Sequence, residues 1–131
     1  MFKHIDELNQ GERAQLFRSN SSPSFYINLY DYKFDPNINT YLYYIDIGIQ
    51  MDTDTIVVKK FVKRYSELYE IWYKLSEKYD ILKTETFPGK LWFNKNDSTK
   101  IKNRFEHIKS CLSKVCEIDD NKFIYQIIHD N

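Results

Sequence analysis

Four arginines, Arg13, Arg18, Arg64 and Arg104, stand among fifteen lysines in this 131-residue chain. Arginine carries a planar fork of donors that can grip a phosphate at two points, whereas a lysine ammonium acts as a single mobile charge. Arg64 falls within Lys59-Lys60-Phe61-Val62-Lys63-Arg64-Tyr65-Ser66-Glu67-Leu68, a basic run in which strand-like residues give way to helix-like ones. A phosphate at such a junction meets the free backbone N–H groups of a helix start together with the guanidinium. The neighbouring Tyr65 ring offers a flat apolar wall for the C–H face of a sugar-like ring. Taken alone, the run also suits a plainer arrangement, with Arg64 paired to a helix carboxylate and Tyr65 part of the core.

The charge distribution favours a polyanion. Lys59 to Lys114 hold fourteen Lys and Arg against seven Asp and Glu, a balance of +7, while the remainder holds five against twelve and the whole chain nets zero. A basic middle framed by acidic ends implies one anion-facing side. Catalysis finds little support: His4, His107 and His129 lie far apart, outside any His-Glu-x-x-His pattern. Cys111 and Cys116 are five residues apart on one predicted helix and point in different directions, so neither a redox pair nor a metal half-site is expected. Three glycines are too few for a glycine-rich phosphate loop. No strand carries the interleaved Gly and aromatic residues of RNA recognition, and no nucleic-acid partner is expected. No catalytic residue, metal or cofactor is predicted. Without an apolar run of about 20 residues or a signal-peptide core, the chain is expected to be cytoplasmic.

The elements that must position Arg64 follow from hydrophobic periodicity. Residues 1–22 read as an N-terminal extension, partly disordered, with a short helical pattern of Ile5, Leu8, Leu16 and Phe17 interrupted by Gly11. Residues 23–130 read as one domain. Phe25, Ile27 and Leu29 alternate in a first strand; Tyr41, Tyr43, Ile45, Ile47, Ile49 and Met51 share one face of a second; Thr55 to Lys63 form a third. Gly48 marks a bulge or a close approach within the second. Short connections imply an antiparallel meander. After Tyr65 the period becomes helical, with Ser66 as N-cap and Leu68, Ile71, Trp72, Leu75 and Tyr79 recurring. A second helix starts near Asp97 or Ser98 and carries Ile101, Phe105, Ile108, Leu112 and Val115, with Cys111 as apolar filler. A third runs from about Asp119 to His129. The predicted class is α+β: a three-stranded antiparallel meander followed by a helical subdomain.

Lys63-Arg64-Tyr65-Ser66-Glu67-Leu68 resembles the Arg-Arg-Tyr/Phe-Ser-Asp/Glu-Phe/Leu signature of phox-homology (PX) domains. Phe87-Pro88-Gly89-Lys90 is similar to the end of that family's proline-rich loop, and Arg104-x3-Ile108-x2-Cys111-Leu112 to its Arg-x3-Leu-x2-Tyr-Leu helix pattern. The resemblance covers residues 24 to 129. It implies a non-catalytic module binding phosphoinositides, most often phosphatidylinositol 3-phosphate, on membranes of endosomal or vacuolar type. By resemblance Arg64 holds the 3-phosphate, Tyr65 packs beneath the inositol ring, Lys90 meets the 1-phosphate and Arg104 bonds the 4- and 5-hydroxyls.

Leu91-Trp92-Phe93 follows Lys90 directly, in what the resemblance makes a membrane-dipping loop; Trp is at home at a headgroup boundary. Lys63 and Lys95 would support the site with diffuse basic attraction. The pattern departs from the family in having one proline, Pro88, where Pro-x-x-Pro is usual. Lys63, Leu68 and Cys111 replace the commoner Arg, Phe and Tyr. The rival reading is a protein–protein interaction module on the same fold, for which the acidic N-terminal part leaves room.

Overall fold

A computed structural model describes residues 1–89 and 97–131. In chain order it holds β1 (Phe2–His4), a 3-10 turn (Ile5–Glu7), α1 (Gln10–Arg18), β2 (Phe25–Asp35), β3 (Thr40–Gln50), β4 (Thr55–Arg64), α2 (Tyr65–Lys78), a 3-10 turn (Asp80–Thr84), α3 (Ser98–Lys114), a 3-10 turn (Val115–Glu117) and α4 (Asn121–Asp130). The fold is α+β. β2, β3 and β4 form the expected antiparallel meander, and the short β1 adds a fourth strand beside β4, in the order β1-β4-β3-β2.

Period-two alternation divides the side chains between two cores. Phe25, Ile27, Leu29, Tyr43, Ile45 and Ile47 face α2, α3 and α4, which supply Leu68, Ile71, Leu75, Phe105, Ile108, Cys111, Leu112, Ile124 and Ile128. The opposite sheet face packs Tyr26, Ile56 and Val58 against Leu8 and Leu16. Residues 1–22 thus build one of the two packed layers. Gly11 lies within α1 rather than interrupting it, because Asn9 caps the helix: its Oδ1 accepts the Glu12 N–H at 2.8 Å, and Glu12 Oε1 accepts the Asn9 N–H at 3.0 Å. Phe17, read with the apolar pattern, is 90% exposed, since one residue's turn of about 100° carries it off the Leu16 face. Met51 also leaves its expected face; β3 ends at Gln50, and Asp52 Oδ1 tightens the turn by accepting the Asp54 and Thr55 N–H groups at 2.9 and 2.8 Å.

Gly48 is the close approach rather than the bulge. A Cβ there would lie 2.0 Å from Tyr26 Cε2, so the absence of a side chain makes room for a fully buried ring. The bulge sits across the ladder, between Leu29 and Asp31 of β2. Among the described residues no helix is long and apolar enough to cross a membrane.

Candidate functional site at the strand-to-helix junction

β4 runs to Arg64 and α2 begins at Tyr65, with no loop between them. The turn is possible because Glu67, three residues on, reaches back to accept the Arg64 N–H at 2.9 Å. A carboxylate at that position satisfies a donor at the helix start and interacts favourably with its positive end. This corrects the expected N-cap: Ser66 lies inside the first turn, exposed, and the capping position belongs to the Arg64 backbone.

Tyr65 is buried against Phe87 and Tyr69, at ring-centroid distances of 6.0 and 6.3 Å, and its hydroxyl donates to the Pro88 carbonyl. Phe87 in turn stacks on Trp72 at 5.6 Å. A tyrosine corner of α2 therefore holds the described end of the chain leading to Gly89. From α3, Arg104 comes over the same ring, its guanidinium carbon 4.8 Å from the Tyr65 centroid. Its Nε donates to the Tyr43 hydroxyl at 3.0 Å. α3 is held to the sheet one residue further on, where Phe105 meets Tyr32 at 4.7 Å. Burial raises both phenols, Tyr43 and Tyr65, above their ordinary range, and the Arg104 charge partly opposes the rise. Both phenols thus stay neutral beside the Arg104 guanidinium. No carboxylate among the described residues pairs with Arg104.

Arg64 is exposed, with Nε 3.7 Å from Glu67 Oε1. Its register partner is Leu42, so it leaves β4 with the parity of Val62, on the sheet face opposite Tyr43. The fold therefore brings Tyr65 and Arg104 into stacking contact and sets Arg64 one residue away, at the corner of the sheet, with its side chain turned to Glu67. Both features of the plainer arrangement, a carboxylate partner for Arg64 and burial of Tyr65, are present in the same geometry. Lys63 is only 8% exposed, with Nζ 5.7 Å from the Phe61 centroid. Lys90, Leu91, Trp92, Phe93 and Lys95 lie outside the described residues.

Tyr43 was not singled out in the sequence beyond its place on an apolar strand face. The available signal was chemical: a hydroxyl on a core face requires a partner. Its spacing gave no indication that the partner is 61 residues away. A cavity of about 630 Å³ opens beside the junction, lined by Tyr65, Ser66, Glu67, Tyr69, Glu70, Gly89 and Asn131. With two carboxylates and neither arginine on its walls it is unsuited to an anion. The Arg104 guanidinium lies at its margin, over the Tyr65 ring. Among the described residues no three His, Cys, Asp or Glu side chains gather to hold a metal ion.

The sequence profile of the PX domain matches residues 53–122, more than half the chain. No curated protein matches the sequence. Among solved structures, a designed CISK-PX domain superposes with a TM-score of 0.58 at 15% identity, over 79% of this chain and 94% of that one. The mouse SNX19 PX domain with bound sulphate ion superposes with a TM-score of 0.54 at 17% identity, over 79% of this chain and 91% of that one. At such identities the superpositions speak for the fold alone, and the profile match speaks for the family. The chain belongs to the PX domain family, whose members are in general non-catalytic, phosphoinositide-binding modules that recruit proteins to membranes.

Proposed function

We propose that this chain binds phosphatidylinositol 3-phosphate and acts as a peripheral recruitment module on endosomal or vacuolar-type membranes, through residues 23–130. The observation that carries the reading is the Arg104 guanidinium, anchored by Tyr43 and stacked on Tyr65, the residue that follows Arg64 in the chain. The roles follow the family pattern at matching positions. Arg64 takes the 3-phosphate by exchanging its loose contact with Glu67 for a charge-assisted fork. Tyr65 supports the inositol ring from below, Arg104 bonds the 4- and 5-hydroxyls, and Lys90 takes the 1-phosphate. Leu91, Trp92 and Phe93 enter the interface, with Lys63 and Lys95 adding attraction to anionic lipid. Each charge-assisted hydrogen bond contributes about 1.5–3 kcal/mol. A sulphate ion accompanies the SNX19 PX structure, and an oxyanion is the chemistry expected of such a site.

Sedimentation with liposomes that differ only in the phosphate position on inositol tests the reading. The unmodified chain is expected to pellet with the 3-phosphate vesicles, and Arg64→Ala to lose about two bonds' worth of affinity, more than 100-fold, while remaining folded. Undiminished 3-phosphate-dependent pelleting by Arg64→Ala would remove Arg64 from the site. No phosphoinositide preference in the unmodified chain would favour the protein-interaction module instead.

A further inference from the structure

The two edges of the sheet are treated differently. At the β2 edge, α1 and the following loop satisfy outward amides: the Ile27 N–H donates to Gln15 Oε1 at 2.8 Å and the Phe25 N–H to Ser19 Oγ at 3.3 Å. At the β4 edge the cover is β1, only three residues long. In an antiparallel ladder both polar groups of one residue point to the same side, and those of the next residue to the other. The Met51 N–H donates to Thr55 O across the β3–β4 turn, which aims odd-numbered β4 residues at β3 and even-numbered ones outward. Val58 accordingly donates to Met1 O at 2.8 Å, and Arg64 to Glu67. Between them, the outward N–H and C=O groups of Lys60 and Val62 have no partner among the described residues.

The adjoining sheet face is also uncovered. α1 packs over Tyr26, Ile56 and Val58, but beyond them Tyr30 and Val62 are 44% and 49% exposed. Val62 is in register with Tyr44, whose ring lies 6.3 Å from that of Tyr30. Lys60 Nζ sits 5.5 Å from the Tyr30 centroid and Lys33 Nζ 5.2 Å from that of Tyr44. Lys60 and Lys33 are paired with Asp46 and Asp31, at 3.1 and 3.9 Å. Lys59, in register with Ile47 on the other sheet face, is exposed with no carboxylate partner among the described residues, so it repels the like edge of a second copy and complements an acidic strand.

We infer that this edge is a docking surface for an extended acidic polypeptide segment, added antiparallel to β4 in line with β1. Its main chain bonds Lys60 and Val62. Its apolar side chains cover Val62 and Tyr44 on one sheet face, and its alternate carboxylates lie on the other face, beside the exposed Lys59. Main-chain bonds supply affinity and alternate side chains supply selection, as in strand addition generally. Single-stranded nucleic acid fits less well, because the ammonium groups occupy the ring faces on which bases would stack, and bases make no use of a strand edge.

The test uses the full chain with fluorescent peptides of about ten residues, alternating Glu with Val or Ile, their Lys counterparts, and a uridine decamer, measured by anisotropy and amide hydrogen exchange. The acidic peptides are expected to bind, and to slow exchange at Lys60 and Val62 by tenfold or more. Val62→Pro removes only an outward N–H, a substitution that edge strands tolerate, so it should weaken peptide binding about tenfold and leave phosphoinositide pelleting unchanged. The exchange measurement on the unmodified chain stands even if that variant does not fold. No binding by the acidic peptides, unaltered exchange at both amides under saturation, equal binding of the Lys peptides, or binding of the decamer alone each overturns the inference.

Discussion

Glu67→Gln separates the two duties of one carboxylate. In the unliganded protein Glu67 accepts the Arg64 N–H at 2.9 Å and lies 3.7 Å from Arg64 Nε. A glutamine oxygen can keep the first contact but not the charge. A phosphate held on the far side of the Arg64 guanidinium would lie about 7 Å from that charge, where each unit pair repels by about 0.6 kcal/mol at the dielectric constant of water. With a phosphate carrying one to two charges, removing the carboxylate's charge is worth about 1 kcal/mol, or roughly fivefold tighter headgroup binding. The ion pair itself is half exposed and subtracts little. Folding moves the other way: the helix start loses a favourable charge worth about 0.3–1 kcal/mol, a fall of about 2–6 °C in melting temperature for a domain of this size. Titration calorimetry with the soluble inositol 1,3-bisphosphate headgroup at low and high salt, alongside thermal melts, reads both effects. The gain in affinity should shrink as salt screens the carboxylate. Weaker or unchanged headgroup binding by Glu67→Gln, with the fold intact, would refute the placement of the phosphate at Arg64.

Other expectations concern the scaffold. Gly48→Ala drives a Cβ to 2.0 Å from the fully buried Tyr26 ring and should destabilise by about 3 kcal/mol or more in urea unfolding. Tyr26→Phe should do the opposite: the Tyr26 hydroxyl is buried without a partner among the described residues, so its removal should raise stability by about 1 kcal/mol in the same measurement. Asp120 is held below its ordinary pKa, first by the hydrogen bond from Tyr79 and then by Lys78 and the Phe123 N–H. A depressed carboxylate contributes stability above its unfolded pKa, and that contribution disappears as pH falls through the folded value. Acid unfolding below about pH 4 should therefore be blunted in Tyr79→Phe, which starts less stable at neutral pH. An acid profile parallel to that of the unmodified chain would contradict the assignment.

Much of this molecule was legible from neighbouring residues. Alternation over 41–49 marked the apolar face of β3, the change of period after Tyr65 marked α2, and Asp97 announced α3, whose Lys100 N–H it accepts at 3.1 Å. Such features arise from contacts within a turn or across one strand, so their spacing is written in the order of residues. The signature at 63–68 belongs to the same class, because strand end, turn and helix start are local events. Residues 1–22 were less legible. Ile5, Leu8 and Leu16 suggested a helix, but a three-residue strand is too short to show a period, and the Gln15 bond to Ile27 depends on where α1 lands.

The arrangement of the site required the folded chain. Arg104 could be matched to a pattern, yet its anchor on Tyr43 spans 61 residues and its stack on Tyr65 joins two helices. The Pro88 carbonyl finds the Tyr65 hydroxyl across 23 residues. The space Gly48 leaves is defined by a ring on another strand. Residue order specifies which groups a strand or helix presents. Which groups meet depends on how amphipathic faces are buried against one another, a property of the whole packed chain that no local spacing encodes.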